Sequence, residues 1–320
     1  LRNRAGTVEH ASSASIYGSL MRTITLENSL TWSEIAEIAD GARLKLSESA
    51  RARVIAARKI VDAVVARDIR SYGLNTGVGA FQNVRIDRDK QRQMSRNVVM
   101  SHSAAVGAPL GIAETRAIIA AQVNNFAHGY SGVRIEVVDH LLLLLNEGCT
   151  PVVPSKGSVG YLVHMAHISA VLIGEGFARI GDEVLPASEA FTRLGRTPLV
   201  LDAKEGLSLV NGSPCATGLA SLALARGEHL LDWADAIAAL SFEALSGQLA
   251  NYAEESKELH RSPGLNDTAA VLRAYLGDSK RLLNAGGSRT QDALSVRAIP
   301  HVHGAARDAF TYVKRRAAGA

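Results

Sequence analysis

The chain is short of cysteine, aromatic residues, net charge and long hydrophobic runs, and each shortage removes a class of protein. Only two cysteines occur, Cys149 and Cys215, and no CxxC spacing. A disulfide framework is therefore excluded, and a reducing, cytoplasmic setting is expected. Aromatics make up 5% of the residues and prolines number 8, while Ala and Leu abound, which favours helices over a sandwich or barrel. Lys and Arg total 35 against 31 Asp and Glu. The pI near 9.1 thus reflects a small surplus, without the dense basic stripe of a nucleic-acid surface. The most apolar run, Leu141 to Leu145, is bracketed by His140 and Asn146 and falls far short of a membrane span.

What is present can fold. Hydrophobic residues at 47% and charged residues at 21% allow a sizeable core, and 320 residues suit one large domain or two ordinary ones. Residues 1–20 are polar, without periodicity or an apolar signal-peptide core, and are expected to be a disordered tail or an over-extended start ahead of Met21.

Periodicity predicts a mostly α fold. Thr31 to Asp40 reads as a short amphipathic helix capped by Thr31 or Ser33. Ser47 to Asp68 places Val54, Ala57, Val61, Val64 and Val65 on one face. Gly73, Gly77 and Gly79 make 71–81 a loop. Helical patterns resume at about 87–105, 111–128, 134–146, 161–173, 212–242, 267–276 and 295–314, and 174–187 reads as a hairpin turning at Gly181-Asp182. No internal repeat or linker interrupts the chain after residue 20.

Taken singly, the local signals are weak. The glycine-rich loop 72–79 is neither GxGxxG nor GxxxxGK[ST] and follows a helix, which argues against a nucleotide site. His164 and His167 lie one helical turn apart without a carboxylate or thiol to complete a metal set, so packing or hydrogen bonding is expected. The same reading applies to His301 and His303. Lys314, Arg315 and Arg316 read as favourable charges at a helix end.

Together, four blocks say more. Tyr72-Gly-Leu-Asn-Thr-Gly-Val-Gly79, Ser101-His102-Ser-Ala-Ala-Val-Gly107, Lys204-Glu-Gly-Leu-Ser-Leu-Val-Asn-Gly-Ser213 and Gln291-Asp-Ala-Leu-Ser-Val-Arg297 occur in order. Gly157-Ser-Val-Gly160 lies between the second and third. This series resembles the aromatic amino-acid ammonia-lyases, the family of histidine, phenylalanine and tyrosine ammonia-lyases and related aminomutases, over nearly all of the chain from Met21. The resemblance implies a mainly α fold with an N-terminal glycine-rich active-site domain, minor β hairpins and the start of a long central helical bundle.

It also implies a chemistry. These enzymes eliminate ammonia from an aromatic α-amino acid, using as electrophile a methylidene-imidazolone formed when an Ala-Ser-Gly tripeptide cyclises and loses water. Glycines around that tripeptide suit the bend cyclisation requires. Tyr72 would remove the β-proton. An ordinary tyrosine, with a pKa of about 10, is a poor base at neutral pH, so such a site must stabilise the phenolate. Arg297 would pair with the substrate carboxylate through its guanidinium fork. Asn211 and Gln291 match amides that hold the prosthetic group and substrate, and Gly79, Leu162 and Leu294 fall at substrate-lining positions. Outside that context, Asn211-Gly212 would be a turn and Arg297 a surface helix charge. In the family the pair at Ser101-His102 tracks the substrate ring. Ser-His is typical of histidine ammonia-lyases, His-Leu of tyrosine and Phe-Leu of phenylalanine enzymes, although some tyrosine aminomutases also carry Ser-His. Recognition of an imidazole by His102 is chemically reasonable, because one such ring can hydrogen-bond another.

The chain also departs from the family pattern. Family members read Gly-Ser-Val-Gly, Ala-Ser-Gly, then Asp-Leu-Ala-Pro-Leu-Ala-His, whereas here Gly160 runs straight into Tyr161-Leu-Val-His-Met-Ala-His167. Three residues are missing, the tripeptide itself, and Tyr161 replaces the Asp. Either a matured tripeptide is unrecorded in the sequence, which is favoured because random deletion would seldom remove it alone, or the deletion is genuine and leaves no electrophile. Leu294 stands where the family has Tyr, and the hydroxyl of Tyr161 is a candidate compensation. Family chains continue into further helices and assemble as homotetramers whose sites draw on neighbouring subunits. Residues 21–320 are therefore expected to be the N-terminal and partial central region of such a domain. L-Histidine is the favoured substrate, with L-tyrosine or L-phenylalanine next. An aminomutase, a prosthetic-group-free betaine lyase such as ergothionase, and an inactive truncated relative remain alternatives. No metal, nucleotide, nucleic-acid or membrane partner is expected.

Overall fold

The computed structural model describes residues 22–157, 162–285 and 290–318. The expected tail at 1–20 and the positions of Gly160 and Tyr161 lie outside them. Two four-residue strands with alternating burial, β1 (Thr23–Leu26) and β2 (Arg43–Leu46), pair in parallel with Thr23 opposite Arg43. Between them runs α1 (Trp32–Ala39), started by a capping box. Thr31 Oγ1 accepts from the Glu34 N–H at 3.2 Å, and the Thr31 N–H donates to Glu34 Oε2 at 2.8 Å. Ser47 caps α2 (Glu48–Ala66), which buries Ala50, Val54, Ala57 and Val61.

The chain then forms α3 (Gln91–His102), β3 (Val106–Pro109), α4 (Ile112–Ala127), α5 (Ile135–Asn146), β4 (Cys149–Pro151), β5 (Pro154–Lys156) and α6 (Leu162–Leu172). After these come β6 (Phe177–Ile180), β7 (Glu183–Pro186), α7 (Ala187–Arg193) and α8 (Glu205–Val210). β6 and β7 form the expected hairpin across Gly181-Asp182, and β4 adds to it antiparallel. β3 pairs antiparallel with β5. α4 is buried on every side and acts as the core helix, packed on α5 and α2. Arg116 on α4 is itself buried, donating to the carbonyls of Ile38 at 2.7 Å, Leu145 at 2.6 Å and Ala42 at 3.2 Å. It thereby satisfies carbonyls at the ends of α1 and α5 that would otherwise be orphaned. Cys149 and Cys215 are free and buried, and burial pushes the Cys149 thiol up to about 11.

The described residues cluster into two compact units. One contains 37–215 with the β1 segment, and the other contains 216–318 with Thr31–Ala36. The second unit is built from α9 (Pro214–Ala244), α10 (Pro263–Leu276), α11 (Lys280–Ala285), α12 (Leu294–Arg297) and α13 (Ile299–Ala318). Its core includes Phe242, Tyr252, Leu272 and Leu276. α10 and α13 approach closely: a Cβ on Gly264 would lie 2.4 Å from the Gly304 carbonyl oxygen.

Two sequence expectations change. The helix expected over 295–314 is broken after Arg297, where α13 restarts at Ile299-Pro300, because proline is tolerated in a first turn but not in a helix interior. The helix expected over 87–105 is shorter, since 88–90 form a 3₁₀ turn and the chain leaves helical geometry at Ser103. Among the described residues, one helical stretch within 205–244 is long and apolar enough to cross a membrane by length and composition. On its α9 part charged residues are engaged inside the second unit: Glu228 pairs with Lys314, and the buried Asp235 carboxylate takes His303 Nδ1 at 2.7 Å and Arg307 Nη2 at 2.5 Å. His303 is thus a hydrogen-bond partner of Asp235, and His301 meets the ring of His260 edge-on. No metal-ligating cluster occurs among the described residues.

Candidate active site

Loop 71–86 owes its shape to buried side chains and glycines. Asn75 and Thr76 are buried, with Asn75 Oδ1 accepting from the Ser71 N–H at 2.8 Å and Thr76 Oγ1 accepting from the Gly73 N–H at 3.1 Å. Gly73 has φ +64, and a Cβ there would strike Leu207 Cδ2 on α8 at 2.2 Å. The position therefore needs glycine for both backbone and packing reasons. Tyr72 beside it is 54% exposed, so its ring stands out of the loop. Its hydroxyl oxygen accepts from the Gly79 N–H at 3.1 Å, which fixes the phenol over the loop.

Ser101 and His102 close α3. His102 Nδ1 lies 2.8 Å from the Val98 carbonyl oxygen and 3.2 Å from Ser101 Oγ. A carbonyl only accepts, so the neutral ring carries its proton on Nδ1 and keeps an acceptor lone pair on Nε2. Just beyond, the Ala105 N–H donates to His167 Nε2 at 3.0 Å, which makes the α6 histidine a structural acceptor, as expected. Burial, reinforced by the neighbouring His164, holds the His167 pKa below its ordinary value.

α8 brings these pieces together. A Cβ on Gly206 would fall 2.1 Å from the Ser95 carbonyl oxygen, so α8 rests directly on the backbone of α3. Leu207, the next residue, fills the space above Gly73. Asn211 ends α8, exposed and in extended geometry, its N–H donating to the Leu207 carbonyl at 3.1 Å. The Tyr72 loop, the Ser101-His102 corner and Asn211 therefore share one six-residue helix. Sequence reading missed what holds that helix. Glu205 is fully buried, and Arg134 meets it with a bidentate fork, Nε to Oε1 at 2.8 Å and Nη2 to Oε2 at 2.7 Å. Lys204, at φ +71, donates to the Ser131 carbonyl at 2.5 Å. Burial, with Arg58 nearby, lowers the Lys204 pKa. For Asp202 burial acts to raise the pKa, and the Ala203 N–H with Arg58, Arg134 and Arg92 outweighs it, so the carboxylate stays below the usual range.

Of the remaining candidates, Gln291, Leu294 and Arg297 belong to the second unit and Leu162 to the first. With Oε1 turned toward the guanidinium, as its surroundings demand, Gln291 accepts from Arg297 Nη1 at 2.8 Å and Nη2 at 3.3 Å. Arg297 Nε donates to the Asp292 carbonyl at 3.1 Å. The fork is thus held from one side, with N–H groups left over for a carboxylate. Asp292 is buried, accepting on Oδ2 from the Gln248 N–H at 2.6 Å. Leu294 opens α12 and is 70% exposed. Leu162 begins α6 and is half-buried.

The aromatic amino acid lyase family model matches residues 30–318. The chain belongs to this family. A histidine ammonia-lyase of Myxococcus xanthus is 41% identical over 293 residues, covering 90% of this chain and 58% of that protein. The crystal structure of histidine ammonia-lyase from Trypanosoma cruzi superposes with a TM-score of 0.85 at 31% identity, covering 93% of this chain and 57% of the other. The ergothioneine-degrading ergothionase of Treponema denticola superposes at 0.83 with 27% identity, covering 92% and 60%. This aromatic amino acid lyase chain thus spans about three fifths of the length of such relatives.

The lyase family uses a methylidene-imidazolone, and the residues present do not supply one. Gly157, at φ +109, leaves β5 against Ala105, and α6 begins at Leu162. Only Ser-Val-Gly-Tyr stands between them, and Ala-Ser-Gly occurs nowhere in the 320 residues.

Proposed function

We propose that this lyase chain carries the proton-abstracting and ring-recognising part of a site that eliminates the amine from an aromatic L-α-amino acid, L-histidine being favoured, to give the unsaturated acid. The observation carrying the reading is that α8 holds Tyr72, Ser101-His102 and Asn211 on one framework. In it, Tyr72 takes the β-proton, and the acceptor lone pair of His102 Nε2 receives the N–H of the substrate imidazole. Asn211 supplies an amide to the substrate, and in the second unit Arg297 keeps N–H groups, left over by Gln291 and Asp292, that suit a substrate carboxylate. In the family the prosthetic group makes the amine able to leave, and no step here is assigned to it.

The absent Ala-Ser-Gly favours a second reading, in which the amine leaves unaided because it is already trimethylated, as in a betaine of histidine. A self-assembled oligomer is part of the proposal under either reading. Leu230, Trp233, Ile237 and Leu240 stand at alternating three- and four-residue spacing on α9, all at least 57% exposed, the pattern of a helix seam awaiting a second copy. A cytoplasmic setting accords with the free cysteines.

The test offers the protein L-histidine and its trimethyl betaine separately, following the conjugated product by absorbance and the released amine by mass spectrometry. Ammonia released from histidine, abolished by Tyr72→Phe, supports the first reading. Trimethylamine alone supports the second, and no product from either sinks both.

A further inference from the structure

The buried carboxylate of Glu205 is not among the groups that would touch substrate, yet more of the site depends on it than on any other side chain of α8. Its Oε1 accepts from the Arg134 N–H at 3.0 Å and from Arg134 Nε, and lies 3.7 Å from Arg58 Nη1. Its Oε2 accepts from Arg134 Nη2 and from the Asp202 N–H at 2.7 Å. Arg58, 8% exposed, braces the same turn by donating to the Ala203 carbonyl at 3.1 Å and to Asp202 Oδ2 at 3.3 Å. Lys204 and Ser208 both reach the Ser131 carbonyl, at 2.5 and 2.9 Å. A six-residue helix has too few internal hydrogen bonds to hold its own position, so its placement comes from these outside ties.

We propose that Glu205 is a positioning residue, clamped by Arg134, which sets where α8 sits and through it the relative placement of Tyr72, the Ser101-His102 corner and Asn211. The clamp acts at both faces of the helix. At Gly206 it presses α8 onto the Ser95 carbonyl of α3, and at Leu207 it closes over Gly73 beside Tyr72. At the far end Asn211 leaves the helix, and Cys215 follows four residues later, buried at 5% exposure. Removing the charge of Glu205 turns one acceptor oxygen into a donor facing the Arg134 and Asp202 N–H groups, so the fork must open and α8 must shift. The inference rests on the functional reading above for its catalytic consequence and on geometry alone for its structural one.

The experiment uses Glu205→Gln, with Arg134→Lys, which keeps the charge but loses the fork, as the second variant should the first fail to fold. The first readout is native-state thiol modification of Cys215 against Cys149, resolved by peptide mass. The clamp predicts that Cys215 reacts about tenfold faster through local opening, while Cys149, in β4 away from α8, stays within twofold. The second readout is turnover. Misplacement of reacting groups by about 1 Å lowers kcat roughly 100-fold. KM should change by less than about threefold, because Gln291 and Asp292, rather than α8, hold the carboxylate anchor Arg297. Equal acceleration at both cysteines would mean general loosening and overturn the proposal, as would unchanged Cys215 reactivity or full turnover despite an opened Cys215. A wild-type protein without turnover on either substrate overturns the functional reading instead, and the Cys215 rates then decide the clamp by themselves.

Discussion

Replacing Gly206 by alanine sets two effects of known sign against each other. In an ordinary helix interior Gly→Ala stabilises by about 1 kcal/mol, because alanine has less backbone freedom to lose on folding. Here the added methyl would lie 2.1 Å from the Ser95 carbonyl oxygen and 2.7 Å from both the carbonyl carbon and Cα of Ser95. All three are backbone atoms in the middle of α3, so no side-chain rotation can relieve the clash. α8 must retreat by on the order of 1 Å, and overpacking of this kind costs about 1–3 kcal/mol, typically more than the propensity gain. The expected result is net destabilisation of about 1 kcal/mol, read as a lower urea midpoint with an unchanged slope. The same retreat carries Asn211 away from the Ser101-His102 corner, and kcat should fall roughly 100-fold. A Gly206→Ala protein as stable as wild type, with unchanged turnover, would refute the seating of α8 on Ser95 and with it the shared framework of the site.

Two further outcomes are expected. His167 is held neutral in the fold with its pKa depressed, so it contributes stability that is full above the unfolded value of about 6.5 and is lost as pH falls through the folded value. Urea midpoints measured downward from neutral pH should therefore decline less steeply for His167→Gln than for wild type, and parallel declines would contradict the assignment. Trp233→Glu places a charge in the exposed α9 stripe and should yield smaller species in sedimentation velocity with unchanged helicity, whereas an unaltered oligomer would remove the stripe as a contact.

What could be read from the sequence depended on the length of the signal. The long helices α2, α4, α6, α9 and α13 announced themselves because apolar spacing repeats over several turns. β1 and β2 did not, since each has only four residues and their parallel pairing across α1 leaves no hairpin turn to find. α8 is too short for periodicity and begins after a lysine in left-handed geometry, which no local rule anticipates. The functional blocks were visible as motifs, but their assembly was not. Nothing in Lys204-Glu-Gly-Leu reveals that Glu205 is fully buried, because a buried carboxylate depends on partners, and its arginine partners come from 58 and 134, far away in sequence. The one cue was the glycine at 206, which a helix tolerates only at a cost unless something sits against it.

The missing tripeptide separates one of three tasks that the reaction normally combines from the other two. Taking the β-proton requires a base near the substrate carbon, and Tyr72, proposed for that role, is fixed by Gly79 and by the packing of Leu207 on Gly73, none of which involves 158–161. Recognising the ring requires an acceptor at a defined point, and for His102, proposed for that role, the Val98 carbonyl fixes the neutral tautomer within α3 itself. Only the third task, making the amine a leaving group, needs the electrophile that the sequence does not encode. Leu294 cannot substitute, because it has no proton to donate and stands exposed at the start of α12. If the proposed roles of Tyr72 and His102 hold and no electrophile is present, the substrate range would be set by the amine alone. On the second of the two proposed readings, a primary ammonium would bind without departing, and a quaternary one could depart once the β-proton is gone. Binding of histidine without turnover, beside turnover of the betaine, is therefore the pattern that would identify a genuine deletion at 160–161.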